Sequence, residues 1–396
     1  MRLLEGVKVV EFASHVVVPA ATRVMAEWGA EVIKIERPEG DRWRNYSYGC
    51  PGEFTYTVLS SGKRMTSLNM KAPEGREALY RMLKDADVFC TNVRPAAVKR
   101  LGLDYDTIHA HFPGIVYCDF NGYGHEGEWS NWPGYDSMGF WSASGILGDL
   151  RDADEAPMPS PTAVGDMATS SAVLSGILGA LYHKKCTGEG TYVTTSLYAS
   201  GIWCNFAAVV AAQDGYDVKK FPRRRYGYRN ALTGVFECGD GRWLFAGGND
   251  TNYERCMEAL GLASMLETPE YATFKNMVER GHEFRAWLQD YFKTKPAYEW
   301  AKMLNEKSVS SQVMATANDI TKSEQAWAND YLNWVEFPDG KRAVLPKPPV
   351  HFPRLEKVDT KPGGALGADT SAVLKEHGFT EEEIENMFRN GVAFGK

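Results

Sequence analysis

Residues 7–36 read VKVVEFASHVVVPAATRVMAEWGAEVIKIE and alternate strand-like and helix-like segments. The β-rich run 7–12 predicts a short buried strand, and 31–36 predicts a second one. Between them, 19–28 predicts a helix with Pro19 in its first turn. A strand, a helix and a strand in this order form a βαβ unit, in which the two strands lie parallel with a right-handed crossover. This segment therefore predicts the start of an open α/β sheet.

The same alternation continues along the chain. It predicts helices over 74–84, 105–111 and 166–185, and strands over 86–91, 114–120 and 191–196. The first 120 residues are therefore predicted to form a sheet of Rossmann type. No G-x-G-x-x-G sequence follows the first strand, so a bound dinucleotide is not expected.

The composition changes around residues 213–232, which include three consecutive arginines, and this change predicts a boundary loop. Short strands and helices between 233 and 330 predict a smaller α+β domain. The proline-rich stretch 346–362 predicts an irregular connector, and 380–390 predicts a final helix that begins with a capping box.

Composition narrows the classes of function. The formal net charge of −7 argues against a nucleic-acid partner, which requires a basic surface. The seven cysteines form no C-x-x-C pair, so we expect no metal site and no disulfide framework, and a reducing cytoplasm fits best. No apolar run is long enough to cross a membrane, and the N-terminus shows no signal-peptide pattern.

Several short sequence motifs, in order across nearly the whole chain, resemble those of the class III CoA-transferase family. This family, the carnitine and formyl-CoA transferase superfamily, also includes the α-methylacyl-CoA racemases. The motifs are residues 4–11, 29–38 with Gly40-Asp41 after them, 62–64, 122–124, 165–166 and 187–190. A further motif, 326–332, resembles the 2-hydroxyacid CoA-transferase branch of anaerobes.

The resemblance implies an α/β fold with a large Rossmann-like domain built from both chain ends and a smaller α+β domain inserted between them. Applied to this chain, residues 1–220 form the first part of the large CoA-binding domain, 225–330 the small domain, and 331–396 the segment that returns to the large domain. It also implies a homodimer whose two subunits are interlinked like chain rings.

Asp166 is the main candidate catalytic residue. From the residues alone, an aspartate after Gly165 and before a long helix is more often only a helix cap. The resemblance instead implies that Asp166 is the nucleophile of a covalent mechanism with acyl-CoA and coenzyme A as substrates and no metal. We expect the helix N-terminus to keep this carboxylate ionised and the small glycine to let an acyl group approach.

CoA contacts are expected from loops that follow the strands. The turn that contains His15, Val16 and Val17 precedes a helix N-terminus, where anionic groups bind readily. The resemblance adds Arg37, Leu68, Lys71, Asn92, Val93, Ala97 and Arg100. The charged members of this set could instead be solvated surface residues, and the imidazole of His15 could lack any role.

Four further residues are expected on the substrate side. Racemases of this superfamily have a histidine where Tyr135 stands, and a tyrosine is a poor base at neutral pH, which favours a transferase. Asp136 either supports catalysis or only holds its loop. Gly227 and Tyr228 occupy the region where oxalate-type transferases carry a glycine-rich lid, but only one glycine is present here, so loop gating is a weak inference.

The sequence therefore predicts a CoA-transferase that moves CoA from an acyl-CoA to a free carboxylic acid, with a 2-hydroxy, aryl or branched-chain acid as the expected acceptor. The first alternative is an acyl-CoA racemase of the same superfamily. The second is a non-catalytic CoA-binding protein, which would need a disabled Asp166, and this residue is intact.

Overall fold

The structure, a computed structural model, describes residues 2–151, 155–213, 230–356 and 359–395. The chain divides into two compact units. The first comprises Met1–Gly148, Pro159–Tyr216 and Gln325–Lys396, and so contains both ends of the chain. The second comprises Asp149–Met158 and Asp217–Glu324. The sequence analysis did not anticipate that 149–158 belongs with the second unit.

A seven-stranded sheet forms the centre of the first unit within the described residues, with the order β12-β3-β2-β1-β4-β5-β6. Strands β1 to β6 pair in parallel, and β12 pairs antiparallel with β3. This order confirms the predicted open α/β sheet and is that of a Rossmann fold. The strands of the described chain are β1 Lys8–Phe12, β2 Glu31–Glu36, β3 Arg64–Leu68, β4 Val88–Thr91, β5 Val116–Asn121, β6 Tyr192–Ser196, β7 Thr233–Glu237, β8 Trp243–Gly247, β9 Ser311–Val313, β10 Leu332–Glu336, β11 Arg342–Pro346 and β12 Ala393–Phe394.

Helices cover both faces of this sheet. The α-helices are α1 Val17–Glu27, α2 Gly52–Ser60, α3 Pro73–Leu83, α4 Pro95–Leu101, α5 Tyr105–His111, α6 Ile146–Asp149, α7 Val164–Thr187, α8 Leu197–Cys204, α9 Phe206–Ala211, α10 Tyr253–Ala259, α11 Phe274–Glu279, α12 Gly281–Phe292, α13 Ala297–Glu306, α14 Ala317–Thr321, α15 Glu324–Ala328, α16 Thr370–Glu376 and α17 Glu381–Arg389. The capping box predicted before α17 is present, because Thr380 and Glu383 exchange side-chain to backbone hydrogen bonds.

The alternation of side chains along the strands explains the two layers of core. On β1, Val10 packs in a cluster with α3, α16 and α17, whereas Val9 packs in a cluster with α1 and α7. A parallel sheet that is covered on both faces has strands that are apolar at nearly every position. The continuous apolar runs in the sequence therefore agree with the observed layers.

Helix α7 is 24 residues long and packs on the sheet through Val173 and Ile177, both fully buried. Among the described helices it is the one that is long and apolar enough to cross a membrane by length and composition. About 33% of its most apolar window is buried inside the protein. Core helices pass the same test, so this result is weak support for a membrane span.

The second unit is built on a three-stranded sheet, β7-β8-β9, with α10 to α13 packed on it. Trp300, Phe236 and Phe292 lie at the centre of its core. The first unit also contains an antiparallel hairpin, β10–β11, which the sequence analysis did not predict. This hairpin ends at Pro346, where the irregular connector was predicted to begin.

Candidate active site

The candidate site lies at the carboxyl edge of the parallel sheet, within the first unit. Strand order reverses between β1 and β4, and ligands of open α/β sheets bind at such a switch point. The loops that follow these two strands are joined here: the Ser14 N–H donates to Asn92 Oδ1 over 3.0 Å, and the Asn92 amide donates to the Ser14 carbonyl.

A cavity of about 630 Å³ opens at this point, and Asp166 lies in its wall. Six more of the residues expected from the sequence also line it: His15, Val16, Val17, Asn92, Tyr135 and Asp136.

The other predicted CoA contacts do not line this cavity. Arg37, Lys71 and Arg100 are exposed; Arg37 and Lys71 follow the carboxyl ends of β2 and β3, whereas Arg100 lies in the last turn of α4. The Leu68 side chain is fully buried in the core and cannot contact a ligand. Val93 and Ala97 are half-buried beside β4 and α4. Gly227 and Tyr228 lie outside the described residues.

Asp166 is the third residue of α7, and the residue at the helix cap is Ala163 rather than Asp166. A different carboxylate lies at the first turn. Asp136 Oδ1 accepts from the Asp166 N–H over 2.9 Å, and the nearby Gly165 and Ala163 N–H groups help to hold the pKa of Asp136 down. Asp136 therefore caps α7 from a position 30 residues earlier in the chain.

The electrostatics of Asp166 differ from the sequence prediction. Burial, and to a smaller extent the neighbouring Asp136 carboxylate, raise the pKa of Asp166 from 3.8 to about 7. The prediction that the helix N-terminus keeps Asp166 ionised is wrong, because burial and the Asp136 carboxylate raise the pKa of Asp166 instead. Burial also raises the pKa of Asp136, although its hydrogen bonds from the backbone and from Trp141 oppose this.

Gly165 is required by packing. A Cβ atom at this position would lie 2.3 Å from Asp136 Oδ1 and 2.3 Å from the Phe140 ring. The missing side chain thus lets Asp136 reach the first turn of α7, a reason different from the predicted access for an acyl group. Gly122 and Gly134 play a similar part: a Cβ on either would lie within 3 Å of the other's Cα.

His15 adopts a left-handed backbone conformation with φ of +65°. Its ring lies 5.8 Å from that of Tyr135, and burial lowers the pKa of His15, which favours the neutral imidazole. Ala163, at the start of α7, also has a left-handed φ of +61°. Backbone strain of this kind collects at functional sites, and both residues line the cavity with Asp166.

The remaining walls contain groups that the sequence analysis did not single out. The rings of Trp43 and Tyr46 contact each other at a tilt, with centroids 4.3 Å apart, and Trp132 stacks on a neighbouring tryptophan outside the cavity. The exposed Arg42 and Arg94 add positive charge. Arg42 and Arg94 could have been identified from the sequence, because they lie shortly after β2 and β4. Loops that follow the strands at the carboxyl edge of such a sheet form the ligand site.

No group of three or more His, Cys, Asp or Glu side chains that could hold a metal occurs among the residues described. The cavity instead combines two neighbouring carboxyl groups, aromatic walls and cationic side chains. A Rossmann-type α/β protein with such a cavity at its switch point has the features of a binding site for a small molecule.

The family is shown by comparison with known proteins. The model of CoA-transferase family III matches residues 4–370, and the chain belongs to this family. The protein is accordingly an enzyme of the CoA-transferase class, whose members use acyl-CoA substrates.

Two curated relatives match almost end to end. The chain is 32% identical to the cinnamoyl-CoA:phenyllactate CoA-transferase of Clostridium sporogenes, over 97% of this chain and 96% of the relative. It is 31% identical to the (R)-2-hydroxy-4-methylpentanoate CoA-transferase of Clostridioides difficile, over 97% of this chain and 98% of the relative. A crystal structure of a CAIB/BAIF family protein from Brucella suis shares the fold, with a TM-score of 0.80 and 24% identity over 95% of this chain and 99% of that one.

Proposed function

We propose that this protein transfers CoA from an acyl-CoA to a free carboxylic acid through covalent intermediates on Asp166. The observation that carries the proposal is the position of the Asp166 carboxyl group in the switch-point cavity, with its pKa raised to about 7. A carboxylate of higher pKa is a stronger nucleophile than an ordinary aspartate, and part of the population is ionised at neutral pH.

The chemistry needs no net proton transfer. The Asp166 carboxylate attacks the thioester carbonyl, the C–S bond breaks, and a mixed anhydride and CoA thiolate form. The thiolate attacks the aspartyl carbonyl, which gives an aspartyl-CoA thioester and releases the donor acid as a carboxylate. The acceptor carboxylate then attacks this thioester and the same steps run in reverse, so that Asp166 is regenerated. Because the activation stays in acyl bonds throughout, ATP is not consumed.

The oxyanion of each tetrahedral step needs hydrogen-bond donors. In the first turn of α7, the Asp166 N–H already donates to Asp136. Helix α1 has no side-chain cap, Val16 and Val17 line the cavity, and their N–H groups have no backbone or side-chain acceptor among the described residues. We assign the oxyanion contacts to these two groups.

The nucleotide part of CoA carries several negative charges and needs cations from separate loops. Arg37 and Lys71 are exposed after the carboxyl ends of β2 and β3, Arg100 is exposed on α4, and Arg42 and Arg94 line the cavity itself. We assign the phosphate contacts to this set and backbone contacts to Val93 and Ala97.

The acceptor is proposed to be an aryl or branched-chain acid, such as a 2-hydroxy acid. The cavity supports this assignment because Trp43, Tyr46, Trp132 and Tyr135 give it large apolar walls. The names of the two similar proteins, a cinnamoyl-CoA:phenyllactate and an (R)-2-hydroxy-4-methylpentanoate CoA-transferase, agree with this proposal.

A racemase is not favoured. Racemisation requires a base that removes the α-proton, and the position next to Asp136 holds Tyr135, whose phenol group is a poor base near neutral pH. Deuterium incorporation at the α-carbon of an acyl-CoA in heavy water, without any acceptor acid, would reveal racemase activity; we expect none.

Assembly as an interlinked homodimer remains part of the proposal. Helices α8 and α9 expose a run of large apolar side chains, with Trp203 81%, Phe206 65% and Val210 59% exposed in the single chain. Surfaces of this kind mark protein contacts, and a second copy is the occupant that the family resemblance suggests. The free cysteines support the proposed cytoplasmic location.

The experiment compares Asp166→Ala with Ser171→Ala, an exposed position five residues further along α7. Acyl-CoA donors are paired with a panel of carboxylic acids, and products are identified by mass spectrometry. We expect Asp166→Ala to lose transfer but to bind CoA, and Ser171→Ala to behave as the wild type. More than a few per cent of wild-type transfer in Asp166→Ala would assign the nucleophile to another residue.

A further inference from the structure

A group of fully buried charges lies beneath the turn that connects β1 to α1. Lys34 Nζ lies 2.7 Å from Glu11 Oε1 and 3.3 Å from Asp41 Oδ2, and Lys63 Nζ lies 2.6 Å from Glu11 Oε2. The side chains of Glu11, Lys34 and Lys63 are 0% exposed, and that of Asp41 is 1% exposed. Buried ion pairs are weak sources of stability, because apolar residues of similar volume are often as stable. We therefore expect these charges to have a role other than stability, and their hydrogen bonds to the backbone indicate which one.

They hold the backbone of residues 13–19. Lys34 donates to the Ala13 carbonyl over 2.8 Å, and Lys63 donates to the Pro19 carbonyl over 2.7 Å. Between these two anchors, both carboxylate oxygens of Asp41 accept the His15 N–H at 3.2 Å.

The residue whose N–H donates to Asp41, His15, has a strained backbone conformation. His15 has a φ of +65°, a conformation that a residue with a side chain keeps only when its surroundings enforce it. The carboxylate of Asp41 lies on the N–H of this residue and is itself fixed, since it also accepts from the Trp43 N–H over 3.1 Å and pairs with Lys34.

His15 and the two valines that follow it form part of the wall of the cavity that contains Asp166. A change in the conformation of His15 would turn the Val16 and Val17 N–H groups relative to that cavity. The reason is that the chain continues in a different direction after a left-handed residue than after an extended one. The position of these donors relative to the nucleophile thus depends on Asp41.

We propose that Asp41, held by Lys34, is a positioning residue: its carboxylate keeps His15 in the left-handed conformation and so shapes the wall that receives the acyl-CoA thioester. This inference rests on the proposed transferase function. Asp41 contacts neither substrate nor nucleophile and acts only through the turn.

The first test is Asp41→Asn, which keeps an acceptor oxygen but removes the charge. We expect the KM for acyl-CoA to rise and kcat to fall, so that kcat/KM for acyl-CoA drops about tenfold, because the Val16 and Val17 N–H groups shift, while the KM for the acceptor acid changes less. Glu27→Gln is the matched control, because it removes another buried carboxylate from an ion pair on α1, with Arg23 at 2.7 Å, outside the cavity. The control should lower the Tm and leave the KM for acyl-CoA unchanged.

A second variant, Lys34→Gln with Asp41→Asn, restores the balance of buried charge. We expect its Tm to recover relative to Asp41→Asn alone, with the KM for acyl-CoA still raised. If the double variant also recovered the wild-type KM, or if Asp41→Asn behaved like the Glu27→Gln control, Asp41 would be only a structural residue and the inference would be overturned. The transfer assay on the wild type tests the proposed function by itself, so failure of one is distinguishable from failure of the other.

Discussion

The carboxyl groups of Asp136 and Asp166 lie close together, and Asp136, not Asp166, accepts a hydrogen bond from the N-terminus of α7. Asp136 accepts the Asp166 N–H in the first turn of α7, and the Asp166 side chain lies beside it with a pKa raised to about 7. This division gives the two residues different roles: Asp136 anchors the helix, and Asp166 is left as a basic carboxylate facing the cavity.

The raised pKa has a cost in stability that a substitution should reveal. The pKa of Asp166 is raised from 3.8 to about 7, so the unfolded chain loses this proton at lower pH than the folded protein. Stability is therefore lost as pH rises between these values, and the loss is complete above pH 7. At about 1.4 kcal/mol for each pH unit, the cost is of the order of 4 kcal/mol at most.

We accordingly expect Asp166→Asn to raise the free energy of unfolding at pH 8 while its effect at pH 4 is small, measured by denaturant unfolding at both values. The Ser171→Ala variant on the same helix provides the control and should show no such pH dependence. A loss of stability in Asp166→Asn at pH 8 would mean that the carboxylate is a stabilising structural group and not a strained functional one.

Asp136 should control the pH at which transfer begins. Its carboxylate raises the pKa of Asp166, so Asp136→Asn is expected to move the acidic limb of the kcat/KM profile to lower pH. The amide oxygen can still accept from the helix N–H groups. Asp119→Asn, which changes a carboxylate on the same stretch of chain outside the cavity, should leave the limb in place. If the acidic limb of the kcat/KM profile stayed at the same pH in Asp136→Asn, the proposed effect of the Asp136 charge on the pKa of Asp166 would be contradicted.

At the scale of elements, local sequence predicted most of the large sheet. The strands at 31–36 and the helix at 105–111 agree with the structure to the residue, because each is marked by periodicity and by flanking turn residues. The hairpin β10–β11 was missed, since it borders a proline-rich stretch and its strands carry few β-branched residues.

The site was only partly predictable for a physical reason. Phrases in the sequence identify Asp166 and the turn at His15, but the contacts that set their properties join distant residues. Asp136 meets Asp166 across 30 positions and Asp41 meets His15 across 26. Long-range pairs of this kind depend on the packing of elements, which the periodicity of a single segment does not report.

The loop after β5 brings Trp132 to the wall of the cavity, and this residue should influence the choice of acceptor. We expect Trp132→Ala to raise the KM for an aryl 2-hydroxy acid by between about twofold and tenfold, with little effect on a short aliphatic acid. Trp287→Ala is a matched control, because Trp287 is 45% exposed in the second unit and Trp132 is 49% exposed. If Trp132→Ala changed the KM equally for both acids, Trp132 would have no role in recognising the aryl group of the acceptor.

At the scale of the whole molecule, the apolar surface of α8 and α9 requires an explanation. Interlinked subunits cannot separate without unfolding, and obligate dimers often have no stable monomer. We expect sedimentation to show one dimeric species from micromolar to nanomolar concentration. Trp203→Asp should reduce the yield of dimer, whereas Tyr298→Asp, at a similarly exposed position of the second unit, should not. A folded monomer that forms reversibly on dilution would exclude the interlinked arrangement.

The most direct test of the central claim is to trap the covalent enzyme. The protein is incubated with acyl-CoA and no acceptor, treated with hydroxylamine or borohydride, digested, and mapped by mass spectrometry. The proposed mechanism predicts modification on the peptide that contains Asp166, at the side chain of that residue, and none in Asp166→Ala. A modified peptide that lacks Asp166, or the same modification in Asp166→Ala, would contradict the assignment of Asp166 as the nucleophile.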